Sequence, residues 1–181
     1  FNQPVTTYGY TLTLEKYLDL ENAGASGFEL VKRPTGGGLV IHQPSDVIFS
    51  FISSLKNPHL PEGLVPGFLW LAQKMKEAFD SLGVHLEISN QQGEGFDPVC
   101  FSHSREFEIT HQGKKVMGIA ARRGKNAVLM QGSIAFEPVN QKWEGLFKNK
   151  EDWNALINGC GFVSQKVSAD QLSEKMIQIL D

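Results

Sequence analysis

The stretch VKRPTGGGLVIHQPSD, residues 31–46, sets three consecutive glycines between a basic pair and an apolar run. Glycine loses more conformational freedom on ordering than any other residue, so a fold that fixes a triplet needs φ > 0 there or a ligand lying against the main chain. LVIH behind the triplet and DVIFSFISSL beyond it are rich in β-branched and aromatic residues. They predict two strands, and the turn-like QPS between them predicts a hairpin.

Upstream, TLEKYLDLENAGASG reads as a short helix closing on Gly and Ser, and FELVKR as a strand. Downstream, Phe68, Leu71, Ala72, Met75, Phe79 and Leu82 recur at three- and four-residue steps, which predicts a helix over residues 67–82 closing at Gly83. VHLEIS alternates as a strand does, NQQGEGFDP is a polar loop, and EFEITHQGKKVMGIAAR predicts a hairpin turning at Gln112 and Gly113. AVLMQGSIAFE adds a strand, and EDWNALING and ADQLSEKMIQILD read as helices. Strands joined mainly by hairpins, with helices entering singly, predict an α+β fold: a mixed, mostly antiparallel sheet covered by helices.

The 181 residues, 41% hydrophobic, suffice for one well-filled domain, and a first residue of Phe rather than Met leaves room for terminal elements outside it. Seventeen basic against twenty acidic side chains give a net charge of −3, with no long basic block, which argues against a nucleic-acid partner. VIFSFI and GFLWLA fall short of a membrane span, and the opening FNQPVTTYGY lacks the pattern of an export signal. No membrane partner is expected. Two cysteines, Cys100 and Cys160, suit a reducing compartment, so a cytoplasmic location is expected.

Familiar motifs are set aside on their spacing. PTGGGL lacks the Gly-Lys-Ser/Thr of a P-loop, and no G-x-G-x-x-G opens a helix. Five scattered histidines and two distant cysteines predict no metal site. QGSI is not a G-x-S-x-G elbow, which leaves Ser133 as an ordinary strand serine.

What remains is RPTGGGLVIH, then VCFSHSREFEITHQGKKVMGIAARR, then QGSI. In that order they resemble the lipoate and biotin protein ligase superfamily, and more closely its lipoate-protein ligase A and octanoyltransferase branch. The resemblance implies one lipoate/biotin protein ligase-like catalytic domain over residues 1–181. It implies that Arg33, Thr35, Gly36, Gly37, Gly38 and His42 wrap an acyl chain or its adenylate, and that Lys115 sits over the carboxyl group. A thin acyl chain with one polar end is well held by bare backbone beside an apolar tunnel, with few placed donors at the reacting end. Lys115 is expected to pair across from Thr110 and to face opposite Val116, while Gly118 and Ala120 leave room against the strand. A side chain at Gly37 is expected to block the tunnel, at little cost to folding if that site faces ligand.

In similar octanoyltransferases a VCF segment before the GKK strand carries the nucleophile, which points to Cys100. Lys115 would then support the thiol and the developing oxyanion; His103 reads as a surface residue and Cys160, in NGCGFVS, as a core cysteine. The implied reaction moves octanoyl or lipoyl onto the lysine of a lipoyl domain, of a 2-oxoacid dehydrogenase or of the glycine cleavage H protein. The favoured donor is an acyl carrier protein thioester, with no cofactor. The alternative is an ATP- and Mg-dependent ligase acting on lipoate or octanoate, and Gly38, where such octanoyltransferases tend to carry arginine, looks more like a ligase. Ligases of this branch commonly carry an accessory domain, and nothing after the last helix read here supplies one, which favours transfer. A noncatalytic acyl-binding module and a biotin-protein ligase are the remaining readings.

Overall fold

The computed structural model describes residues 3–91, 98–163 and 167–180. The polar loop expected over residues 90–98 lies mostly outside them. The strands are β1 (Val5–Tyr8), β2 (Glu29–Lys32), β3 (Leu39–His42), β4 (Val47–Ser54), β5 (Glu87–Ile88), β6 (Ile109–His111), β7 (Lys114–Arg123) and β8 (Ala127–Ile134). The α-helices are α1 (Leu20–Ala25), α2 (Leu64–Ser81), α3 (Lys150–Gly159) and α4 (Ala169–Leu180).

The α+β expectation of mixed, mostly antiparallel strands holds, but the strands divide between two sheets. One runs β2-β1-β3, with β1 parallel to β2 and antiparallel to β3; the other runs β4-β8-β7-β6-β5, antiparallel throughout. The expected β3–β4 hairpin is therefore corrected, because β3 pairs with β1 and β4 with β8. The QPS segment is a corner between sheets. There the Asp46 carboxylate accepts the Gln43 amide at 2.9 Å and the Phe136 amide at 3.2 Å, tying the corner to the end of β8. Burial pushes that carboxyl up to about 6. The expected helix over TLEKYLDLENAGASG is a 3-10 turn (Leu14–Lys16) followed by α1, whose Asp19 cap accepts the Asn22 amide.

The apolar stripe of α2 buries Leu71, Met75 and Phe79 against the larger sheet, and Leu172 and Met176 of α4 join the same core. A capping box starts α4, in which Ser168 and Gln171 each accept the other's amide. A second core, around Leu18, Leu39, Trp143 and Trp153, lies beside the smaller sheet. Along β8 the side chains alternate: Val128, Met130 and Ile134 enter the main core, whereas Gln131 and Ser133 face the space between the sheets.

The β6–β7 hairpin turns at Gln112 and Gly113, whose φ values of 52° and 75° suit a tight two-residue turn. Thr110 pairs with Lys115 as the sequence predicts, but Ile109 then pairs with Met117, which leaves Val116 as a bulge. The bulge resets the alternation. Val116 and Met117 both enter the main core, and Lys115 comes to share a face with Gly118.

Gly9, just after β1, donates to the Gly38 carbonyl at 3.2 Å, and the Tyr10 amide donates to the Thr35 carbonyl at 2.9 Å. A Cβ on Gly9 would stand 1.9 Å from the Gly37 carbonyl oxygen, a backbone atom that no rotamer change can move, whereas one on Gly36 meets nothing within 4 Å. Gly9→Ala is therefore expected to cost about 2 kcal/mol, read as a lowered thermal midpoint, and Gly36→Ala to leave the midpoint near that of the parent. Equal midpoints for Gly9→Ala and Gly36→Ala would remove the contact argument.

Candidate functional site

A cavity of about 380 Å³ opens between the two sheets. Val31, Val40, Ile48 and Ile119 give it an apolar body, and the glycine loop, β7 and β8 form its walls. Arg33, Gly37, Gly38 and His42 line it from the smaller sheet and its loop, and Lys115, Gly118 and Ala120 from β7, with Cys100 among them. Eight of the ten residues singled out by sequence thus come together. Thr35 and Gly36 do not line the cavity. Thr35 is fully buried and donates to Gln131 at 3.0 Å, locking the loop to β8, and the Gly36 carbonyl accepts from Arg33 Nη2 at 2.8 Å.

Gly37 has φ +93°, and a Cβ there would lie 2.8 Å from Arg33 Nη2 and 3.6 Å from Cys100 Sγ. A side chain at Gly37 therefore strains the backbone as well as the site, which corrects the expectation of little folding cost. The loop turns its main chain to the sulfur: the Gly38 amide donates to Cys100 Sγ at 3.1 Å, and Arg33 Nη2 stands 3.9 Å away. Burial lowers the Arg33 pKa while the nearby Cys100 opposes the shift, and a guanidinium stays charged across the working range of pH. The sulfur thus faces two converging donors.

On the other side of Cys100 its backbone carbonyl accepts from Lys115 Nζ. Lys115 is 3% exposed, pairs with Glu108 Oε1 at 2.6 Å and lies 5.0 Å from the centre of the Phe101 ring. Burial raises the Glu108 pKa and the Lys115 charge pulls it back down. Removing one member of such a pair leaves an uncompensated charge, at a cost of about 3–5 kcal/mol.

Sequence reasoning missed Glu108, Thr7, Gln131 and the placement of Ser133. Glu108 carried only the faint signal of an acidic residue just ahead of β6 in the quoted EFEIT run. Ser133 stays an ordinary serine chemically, but its hydroxyl lies 3.1 Å from His42 Nδ1 inside the cavity wall. Thr7 Oγ1 accepts from Arg33 Nη1 at 3.4 Å and lies 2.8 Å from His42 Nε2. Cys160 does not line this cavity, and burial, reinforced by Asp46, pushes its thiol up to about 12. That is the environment of an inert thiol. His103 is exposed, with Nδ1 3.0 Å from Ser102 Oγ.

A slot walled by bare backbone, apolar in its body and bearing a sulfur and a buried lysine at one point, suits a slender acyl chain with a reacting carbonyl. The comparisons agree with that class. A family model described as the lipoyl protein ligase A/B catalytic domain matches residues 1–178, and the chain belongs to this family. Octanoyltransferase LipM of Geobacillus kaustophilus (strain HTA426) is 30% identical over 187 residues, spanning 99% of this chain and 67% of the relative. Octanoyltransferase LipM of Macrococcus caseolyticus (strain JCSC5402) is 35% identical over 134 residues, spanning 70% of this chain and 48% of that protein. The chain thus spans about half to two thirds of the length of the curated relatives it matches.

Among solved structures, lipoate-protein ligase A bound with ATP aligns with a TM-score of 0.81 at 20% identity, over 98% of this chain and 68% of that one. The bi-partite lipoate protein ligase of Thermoplasma acidophilum, described with its E2 lipoyl domain, aligns with a TM-score of 0.73 at 19% identity, over 98% and 66%. These likenesses show the fold. Among the described residues no helix is long and apolar enough to cross a membrane.

His42 supplies a test of the wall. Burial, and then the Arg33 charge, lower its pKa from 6.5 to about 4, so the folded protein holds it neutral where the unfolded chain takes up a proton. Its contribution is complete above the unfolded value and is lost as pH falls toward the folded one; Asp46, shifted upward, works with the opposite sign over part of this range. The parent-minus-variant difference in unfolding free energy for His42→Gln cancels the Asp46 part. It is expected to move against the parent by about 3 kcal/mol between pH 7 and pH 4, measured by urea unfolding. A pH-independent difference would show that His42 is not held neutral by burial.

Proposed function

We propose that this chain transfers an octanoyl group to the lysine of a lipoyl domain through a thioester on Cys100. The observation that carries the reading is the position of Cys100 Sγ, in the cavity wall under the Gly38 amide and beside Arg33. The names of the curated relatives support the acyl group and the kind of transfer.

In the first step the Cys100 sulfur attacks the carbonyl of an octanoyl thioester carried by acyl carrier protein. A new C–S bond forms, the old one breaks, and the carrier leaves as a thiol with the proton that Cys100 gave up. In the second, the amine of the target lysine attacks the Cys100 thioester and an amide replaces it, with the thiol restored. One thioester exchanges for another and then for a more stable amide, so neither ATP nor Mg is needed. The Lys115 ammonium supplies a fixed charge beside the reacting carbonyl, at a point where arginine's planar fork does not fit a lysine's place. The acceptors consistent with this chemistry are lipoyl domains of 2-oxoacid dehydrogenases and the glycine cleavage H protein.

Octanoyl-carrier protein mixed with the chain and no acceptor is expected to leave an octanoyl group on it, released by hydroxylamine and detected by mass. Cys100→Ser should abolish the adduct and Cys160→Ser should retain it. Lys115→Arg should lose turnover by tenfold or more, while Lys114→Arg, an exposed neighbour, should keep it. Full ATP-dependent activity with free octanoate in Cys100→Ser, and no adduct ever trapped, would replace this route with a ligase acting through an adenylate.

A further inference from the structure

We infer that Glu108 is the base of the second half-reaction, taking a proton from the incoming lysine. This rests on the acyl-Cys100 reading above and assigns a role that neither the glycine loop nor Lys115 fills. At neutral pH a lysine side chain is an ammonium, which has no lone pair with which to attack a thioester. Some group in the cavity must accept its proton. Lys115, engaged as the cation of an ion pair, has none to accept with, and Arg33 never does.

His42 is an unsuitable base. Burial beside the Arg33 charge disfavours its protonated form, and its two ring nitrogens face Thr7 and Ser133. Glu108 is placed for the task. Its carboxylate lines the cavity with Cys100, Oε1 meets Lys115 Nζ at 2.6 Å, and that same Nζ donates to the Cys100 carbonyl. One lysine thus holds the carboxylate beside the residue that carries the thioester. Oε2 accepts the Arg105 amide at 2.8 Å, which fixes the plane of the group while leaving each oxygen a further lone pair. The charged groups acting on Glu108 are Lys115 from β7 and Arg105 from its own loop, and the Cys100 thiol lines the same cavity. Burial makes the carboxylate a stronger base than an exposed one, in keeping with this role.

The step balances. The target ammonium gives one proton to the Glu108 carboxylate and becomes an amine. The amine nitrogen bonds to the thioester carbon, the C–S bond breaks, and the second nitrogen proton goes to the departing Cys100 sulfur. The products are the amide, the Cys100 thiol and a protonated Glu108, which returns its proton to solvent.

The test separates the half-reactions. Parent and Glu108→Gln are acylated with octanoyl-carrier protein, and decay of the isolated acyl-protein is followed with a lipoyl domain as acceptor from pH 7 to pH 9.5. Decay is followed in parallel with hydroxylamine, which is already neutral at pH 7 and needs no base. For Glu108→Gln the rate with the lipoyl domain is read as a ratio to the rate of the same acyl-protein with hydroxylamine, so that any loss from the unpaired Lys115 charge, which both reactions share, cancels. That ratio should fall below the parent's by about 100-fold at pH 7, and the gap should narrow as rising pH supplies free amine. A parent-like ratio, or a gap that does not change with pH, would overturn the proposal and mark Glu108 as structural. If Glu108→Gln does not fold, Glu108→Asp, which keeps the carboxylate and withdraws it, carries the same comparison: a defect with the lipoyl domain alone supports the proposal, and a defect shared with hydroxylamine overturns it. Failure to trap any acyl group on the parent would instead sink the Cys100 route, and the role of Glu108 with it.

Discussion

Two backbone hydrogen bonds hold the site together. The Leu39 amide donates to the Pro98 carbonyl at 2.7 Å and the Cys100 amide to the Leu39 carbonyl at 3.0 Å, pairing the strand that leaves the glycine loop in parallel with the segment that carries the sulfur. Because both bonds are main-chain, the position of Cys100 relative to Gly38 follows from chain geometry rather than from rotamer choice. From the other side, Gly9 and Tyr10 bond to Gly38 and Thr35. The loop is gripped at both edges, which fixes its polar contacts with Cys100. Leu39 and Val99 are both buried, so losing either bond would leave an unpaired main-chain group away from water.

The cavity is the seam between two sheets that share no strand, so its walls are the faces each sheet leaves over after burying its core. Period-2 alternation does the sorting on β8, where the residues packed under α2 and α4 fix the register that presents Gln131 and Ser133 to the loop. On β7 alternation alone would send Lys115 to the same face as Met117, into the main core. The bulge at Val116 prevents this and sets Lys115 over Gly118, where a Cβ would come within 2.9 Å of its side chain. Gly118 thus makes room for the lysine itself as much as for a ligand.

That division explains what could be read from sequence. The α2 stripe, the Gln112–Gly113 turn and the strands around the glycine loop follow from local rules, and the compound motif named most of the cavity wall. The β3–β4 hairpin failed because QPS signals a change of direction without saying whether the next strand folds back or leaves for another sheet; Asp46 decided it by bonding to Phe136, ninety residues on. β1 passed unread, since VTTY is short and its value lies in partners far along the chain. The bulge is a register fact and Glu108 a pairing fact, and both exist only once β6 and β7 are paired. Thr35 and Gly36 were legible as members of the loop but not in their actual roles, which are to brace it.

Cys100 is clamped by charge at both of its polar ends. Its sulfur faces Arg33 and the Gly38 amide, and its carbonyl faces the Lys115–Glu108 pair. Between Arg33 and the wall of β8, the Thr7–His42–Ser133 chain carries no net charge, because Arg33 and burial together keep His42 neutral. A protonated His42 would put a second cation next to Arg33, with both side chains largely buried. Arg33, Lys115 and Glu108 thus gather around Cys100, while Val31, Val40, Ile48 and Ile119 supply apolar lining. On the acyl-transfer reading proposed above, charge would develop at Cys100 during reaction, where preorganised groups act most strongly.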